Sequence, residues 1–89
     1  IIFPSPFYIP SNNPMIVDGL KNESSMIIST LNGEVVRHIK SLGLENDGDQ
    51  LTWDGRDSSG DYVSTGVYLI LIYNSDGSHI ENKITVIKQ

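Results

Sequence analysis

Apolar residues seldom recur at helical spacing in this chain, and short apolar runs are separated by dense turn signals. Pro4, Pro6, Pro10 and Pro14 keep the first segment extended and exclude a helix there. Short strands are expected at Ile1–Phe3 and within "MIVDGL", the latter starting at Met15 and ending at Asp18-Gly19. "MIIST" (Met26–Thr30) and "EVVRHI" (Glu34–Ile39) flank Asn32-Gly33, a strong hairpin signal. Gly43 and the acidic run Glu45–Asp49 mark a loop before a brief strand at Leu51–Trp53. The last hairpin joins Val67–Asn74 to His79–Ile87 through "SDG". About seven short strands with turns between them is the pattern of an all-β, Ig-like antiparallel β-sandwich.

The last hairpin has two registers with opposite consequences. A two-residue Asp76-Gly77 turn pairs Ser75 with Ser78 and puts Val67, Leu69 and Leu71 on one face with Ile80, Ile84 and Val86. A three-residue Ser75-Asp76-Gly77 loop pairs Asn74 with Ser78 and puts Tyr68, Ile70 and Ile72 there instead. Both faces of Val67–Tyr73 are apolar, so alternation does not choose between them. A strand apolar on both faces is usually central, with its outer side covered.

The length of 89 residues suits one small domain, residues 1–89. No apolar run approaches the roughly 18 residues of a membrane helix, so membrane insertion is not expected. The net charge of −5 repels phosphates, which argues against nucleic acid and anionic lipid as partners. No cysteine is present, which removes disulfides and thiolate metal sites. The chain opens "IIFPSPFYIP" without Met or a basic leader, and it reads as a piece of a longer protein.

The densest chemistry lies in "WDGRDSSGDYVSTGVYLILI", Trp53–Ile72. A calcium loop of the EF type needs oxygens at positions one, three and five and glycine at six. Counting from Asp54, position three is Arg56; counting from Asp57, position six is Tyr62. The acidic cluster Glu45, Asp47 and Asp49 also lacks that glycine. His38 and His79 are isolated, and no nucleophile elbow, P-loop or zinc motif is present. No enzyme activity, metal or cofactor is therefore expected. "NES", Asn22–Ser24, matches a glycosylation acceptor, a short motif that arises readily by chance. Turn chemistry accounts for the rest: Asp caps backbone N–H groups, and Gly accepts positive φ. Trp53, the only tryptophan, is expected in the core. Arg56 sits among Asp54, Asp57 and Asp61, where a carboxylate pair would pin the loop.

This stretch resembles the W-D-G-x-D-x-x-G-x-x-V-x-x-G-x-Y signature of small bacterial Ig-like sandwiches. The matching residues are Trp53, Asp54, Gly55, Asp57, Gly60, Val63, Gly66 and Tyr68. Such domains include the C-terminal sorting domains of proteins exported by the type IX secretion system and the core of flagellar hook-capping proteins. "FPSPF" (Phe3–Phe7) looks like the opening of the sorting domains, with Ser5 in place of their usual Asn. "STLNGEVVRHI" (Ser29–Ile39) is similar to their Asn-Gly hairpin, and "NKITVIKQ" (Asn82–Gln89) to their last strand. The resemblance favours the three-residue loop, with Tyr68, Ile70 and Ile72 facing the core.

The resemblance implies a non-catalytic C-terminal module of a larger secreted or surface protein, acting in export or attachment by the type IX pathway. Its implied partners are secretion or surface-assembly proteins and the upstream domains of its own parent, and its implied location is the cell surface or the extracellular space. The alternatives are a structural assembly module of hook-capping type and a carbohydrate-binding accessory domain. The second of these needs an exposed Trp53 beside Tyr62. Lys83 and Lys88, on the last strand, are the candidate partner contacts. Equally, they are gatekeepers that protect a sheet edge from aggregation.

Overall fold

The computed structural model describes residues 5–10, 14–20, 24–40, 49–74 and 77–89. Seven strands run in chain order: β1 (Phe7–Ile9), β2 (Met15–Leu20), β3 (Ser25–Thr30), β4 (Val35–Lys40), β5 (Asp49–Trp53), β6 (Gly66–Tyr73) and β7 (His79–Lys88). No helix occurs among the described residues. Five strands form one sheet in the order β1-β7-β6-β3-β4, and β2 pairs with β5 in a second. The all-β expectation holds. The expected strand at Ile1–Phe3 lies outside the described residues, as do Asn22 of the glycosylation match and most of the acidic run at 45–48.

One strand and one pairing depart from the expected pattern. Pro6 and Pro10 bracket the three residues of β1, and β1 runs parallel to β7 through Phe7↔Val86, Tyr8↔Ile87 and Ile9↔Lys88. Every other pairing is antiparallel. The proline density hid β1, because a strand between prolines survives only at an edge, where missing N–H groups break no ladder. β1 also alters the reading of the last strand. β7 is not a free edge along its whole length: β6 covers one side, and β1 covers the other at Val86–Lys88. Beyond that, the Gln89 N–H donates to the Ile9 carbonyl at 2.7 Å.

Three turns share one bonding pattern. Thr30 N–H donates to the Glu34 carbonyl (2.9 Å) and Gly33 N–H to the Thr30 carbonyl (3.0 Å). Asp57 with Asp61 and Gly60 repeats the pair of bonds at 2.8 and 3.0 Å, and Asn74 with Ser78 and Gly77 repeats it at 2.9 and 3.0 Å. Each is a three-residue loop closed by a glycine, with φ of 94° at Gly33, 94° at Gly60 and 91° at Gly77. That conformation is the one a left-handed third loop residue supplies, and it leaves a bulge that fixes register. Asn32-Gly33 is therefore the end of a three-residue loop, not a two-residue turn. In the last hairpin Asn74 pairs with Ser78, so Tyr68, Ile70 and Ile72 face inward, at 7%, 0% and 0% exposure.

The core lies between the two sheets. Phe7, Ile9, Met26, Ile28, Tyr68, Ile70, Ile72, Ile84 and Val86 come from the large sheet. Met15, Leu51 and Trp53 face them from the small sheet, and Val63 of the β5–β6 connection is buried in the same cluster. Burial is worth roughly 25 cal/mol per Å² of apolar surface, so these positions dominate the stability of so short a chain. The other face of β6 is only half covered: Leu69 and Leu71 are half-buried, and Val67 and Tyr73 are exposed.

Candidate functional site

The signature segment leaves β5 at Trp53 and reaches β6 at Gly66. Its backbone is tied down at each step. Asp54 Oδ1 accepts the Arg56 N–H at 3.1 Å. The Asp57 carboxylate accepts two N–H groups, from Ser59 (2.9 Å) and Asp61 (3.1 Å). Arg56 and Tyr62 form an isolated antiparallel bridge. Ser58 N–H donates to the Val36 carbonyl at 3.0 Å, which clips the loop onto the edge strand β4.

Trp53 explains why the loop folds back at this point. Its ring is fully buried, 5.9 Å from Phe7 and 6.3 Å from Tyr68 between centroids. A buried indole N–H needs an acceptor, and it finds the Arg56 carbonyl at 2.9 Å. Arg37 Nη1 donates to the same carbonyl at 3.0 Å. The loop is thus pinned by its main chain at Arg56, while the Arg56 side chain turns away. That guanidinium stacks on Tyr62 at 4.6 Å and donates from Nη2 to the Tyr62 hydroxyl at 3.2 Å. Hydrogen bonding to Tyr62 is the chief cause that raises the Arg56 pKa, with a smaller contribution from Asp54.

Of the three carboxylates expected around Arg56, Asp54 alone reaches it, at 3.9 Å, and Asp54 is shared with Arg37 at 3.6 Å. Exposed pairs of this kind contribute about 0–1 kcal/mol. Arg37 was not legible as a partner of the loop, because a register bulge between Ile28 and Ser29 sets where β4 presents it.

The signature glycines divide by their surroundings. Gly55 has φ of 87°, and a β-carbon there would lie 2.5 Å from Ile9 Cγ2, so the backbone can pass under β1 only without a side chain. Gly60 has positive φ but open space. Gly66 has neither demand: an added β-carbon would meet Tyr68 Cε2 at an ordinary 3.8 Å. Nothing in the structure requires glycine at position 66.

Tyr68 completes the motif. Its hydroxyl donates to the Ser64 carbonyl at 2.7 Å, a tether of the tyrosine-corner kind. Burial is the largest cause acting on its phenol and raises the pKa. A raised folded pKa means that stability is fully present below the ordinary tyrosine value of about 10 and is lost as pH climbs through the folded value. Urea midpoints of the wild type should therefore fall between pH 9 and 11 more steeply than those of Tyr68→Phe. At neutral pH that variant should be about 1 kcal/mol less stable from loss of the Ser64 bond. Equal alkaline slopes in the two proteins would contradict this assignment.

The candidate contacts Lys83 and Lys88 are both exposed but do not share a face. Lys83 lies opposite Leu69 on the outer face, whereas Lys88 has inward parity and pairs with Ile9 at the sheet end. His38 is exposed on β4, and His79 is exposed with its ring 5.7 Å from that of Tyr73. Among the described residues, no group of three or more His, Asp or Glu side chains gathers as metal ligands would. Trp53 is buried, so the platform required by the carbohydrate-binding alternative is missing at that residue.

No family model matches the chain. No curated protein matches it in sequence. Among solved structures, it is similar to PorZ, an essential bacterial surface component of the type-IX secretion system of Porphyromonas gingivalis, with a TM-score of 0.69 and 21% identity. That match covers 94% of this chain and 11% of the PorZ chain. The chain is also similar to CopC from Methylosinus trichosporium OB3b, with a TM-score of 0.57 and 20% identity over 97% of this chain and 87% of CopC. At such identities the likeness establishes a shared β fold. These matches lend no support to the hook-capping likeness.

Proposed function

We propose that this chain is a non-catalytic β-sandwich module of an exported bacterial protein, and that it acts in export or surface attachment through the type IX pathway. The observation that carries this reading is the likeness of 94% of the chain to a segment of a type-IX surface component. The sorting-type "FPSPF" opening and the Trp53–Tyr68 signature agree with it. The loop that looked richest in chemistry spends its carboxylates and carbonyls on its own backbone and on Trp53. Function then rests on the folded surface, and the partners are secretion or surface-assembly proteins and other domains of the same polypeptide.

The test is a fusion. A periplasmic reporter joined to this chain should reach the cell surface in a bacterium with an active type IX system and stay inside the envelope of a sibling lacking it. Equal surface delivery in both hosts, or none in either, would overturn the proposal.

A further inference from the structure

β6 is the third of five strands in the large sheet, and it is apolar on both faces. Its inner face packs against the small sheet. Its outer face carries Val67, Leu69, Leu71 and Tyr73, with Ile27 of β3 beside Leu71. Val67 and Tyr73 are 40% and 42% exposed, and Leu69, Leu71 and Ile27 are half-buried. A contiguous apolar strip of this kind on a central strand marks a surface that another molecule covers.

The charges beside the strip indicate what covers it. Lys83 of β7 lies opposite Leu69, and Glu81 lies opposite Leu71, both on the outer face and both exposed. Among the described residues, neither side chain has an ion-pair partner. The register makes the face symmetric in character about the row Ile28–Ile70–Asn82. The next outward-facing row on one side holds Leu69 and Lys83, and on the other side Leu71 and Glu81. The rows beyond hold Val67 with Thr85 at one end and Tyr73 with His79 at the other. Turned end for end, the face sets apolar on apolar and acid on base. A second copy of the same face is therefore its complement.

We propose that two copies of this chain pack these outer faces together, with a two-fold axis between the sheets, at right angles to β6 and level with Ile70. β6 then runs over β6 of the second copy in the opposite direction, and β7 over β7. Leu69 packs on Leu71 of the second copy, Val67 on its Tyr73, and Lys83 meets its Glu81. The axis repeats each contact, so four charges form two ion pairs beside the apolar strip. Sheets packed face to face lie about 10 Å apart and cross at about 30°, a gap that Lys and Glu side chains span when they extend from both sides. β1 and β4 lie at the corners, where twisted sheets diverge, so Tyr8, His38 and Lys40 stay at the rim. An axis along β6 would instead set Lys83 on Ser29 and Glu81 on Ile27, so the charges choose the orientation. The contact uses side chains of one face and leaves every sheet edge as it is in the single copy. It is isologous and closed, so it makes a dimer. In this assembly Lys83 orients the two copies and is not only a gatekeeper.

The proposal does not depend on the type IX reading, and its test needs no secretion system. Sedimentation equilibrium of the chain at concentrations up to roughly 1 mM, the weak end of specific association, should show a reversible monomer–dimer equilibrium. Lys83→Glu or Glu81→Lys alone sets like charges against each other in both pairs and should weaken the dimer roughly tenfold or more. The double exchange Glu81→Lys with Lys83→Glu restores both pairs with reversed polarity and should recover association to within about threefold of wild type. Tyr73→Lys buries an ammonium against Val67 of the second copy and should also weaken the dimer roughly tenfold or more. Glu81, Lys83 and Tyr73 are exposed in the single copy, so each dilute variant should still melt cooperatively. A wild type that stays monomeric throughout would overturn the proposal and leave the face to another domain of the same polypeptide. A Lys83→Glu or Tyr73→Lys variant that dimerises unchanged, or a double exchange as weak as the single variants, would overturn it as well.

Discussion

Trp53→Ala should lose about 3–5 kcal/mol of stability, the range for removing a fully packed aromatic. The ring has 0% exposure and touches both Phe7 and Tyr68, so β1, β5 and β6 all lose a neighbour at once. The substitution also frees the Arg56 carbonyl from its indole donor and loosens the loop from within. A small domain has only about 5–15 kcal/mol in hand, so the variant should be partly or wholly unfolded at 37 °C. Urea denaturation followed by circular dichroism measures this directly. In the wild type, Trp fluorescence should be blue-shifted and should move to the red on unfolding. A midpoint unchanged by the substitution would mean that Trp53 does not hold the sheets together.

Gly55→Ala is the second large effect, and it acts through the backbone. Positive φ costs a residue with a side chain about 1–2 kcal/mol. The new methyl would also press on Ile9, itself fully buried, and overpacking adds about 1–3 kcal/mol. The sum is about 2–5 kcal/mol. Gly60→Ala has the same conformational demand without the clash and should lose only about 1–2 kcal/mol. Gly66→Ala should be nearly neutral. Parallel denaturation of the three variants separates strain from contact. Similar losses at positions 55 and 60 would show that Ile9 yields, and that β1 is not seated on the loop.

Much of this was legible in the sequence, for physical reasons that differ by element. Strands β3 to β7 announced themselves as β-rich runs cut by glycine turns, and Trp53 was readable as core because burial of one large ring dominates so small an interior. The face of β6 was not readable from alternation, since Val67, Leu69 and Leu71 are as apolar as Tyr68, Ile70 and Ile72. Turn length decided it, through Asn74, Gly77 and Ser78. β1 was hidden because a three-residue parallel edge strand between prolines has no local signal, only a distant partner in Val86–Lys88. Arg56 was expected to find a carboxylate partner among Asp54, Asp57 and Asp61, and Asp54 is the one that reaches it. Asp57 caps its own turn, and the Asp61 N–H is one of the groups it holds. The contribution of Arg37 came from a neighbouring strand and a register bulge, which no local pattern reports.

The central claim is that the folded surface, not a linear tag or a reaction, carries the function. The measurement that addresses it most directly is surface display of a reporter fused to this chain in a type IX-competent host, comparing wild type with Trp53→Ala and quantifying cell-associated reporter in the same cultures. The wild-type fusion should appear on the surface, while the Trp53→Ala fusion accumulates inside the envelope at comparable total yield. Equal display of the two fusions, with the variant shown to be unfolded, would contradict the account.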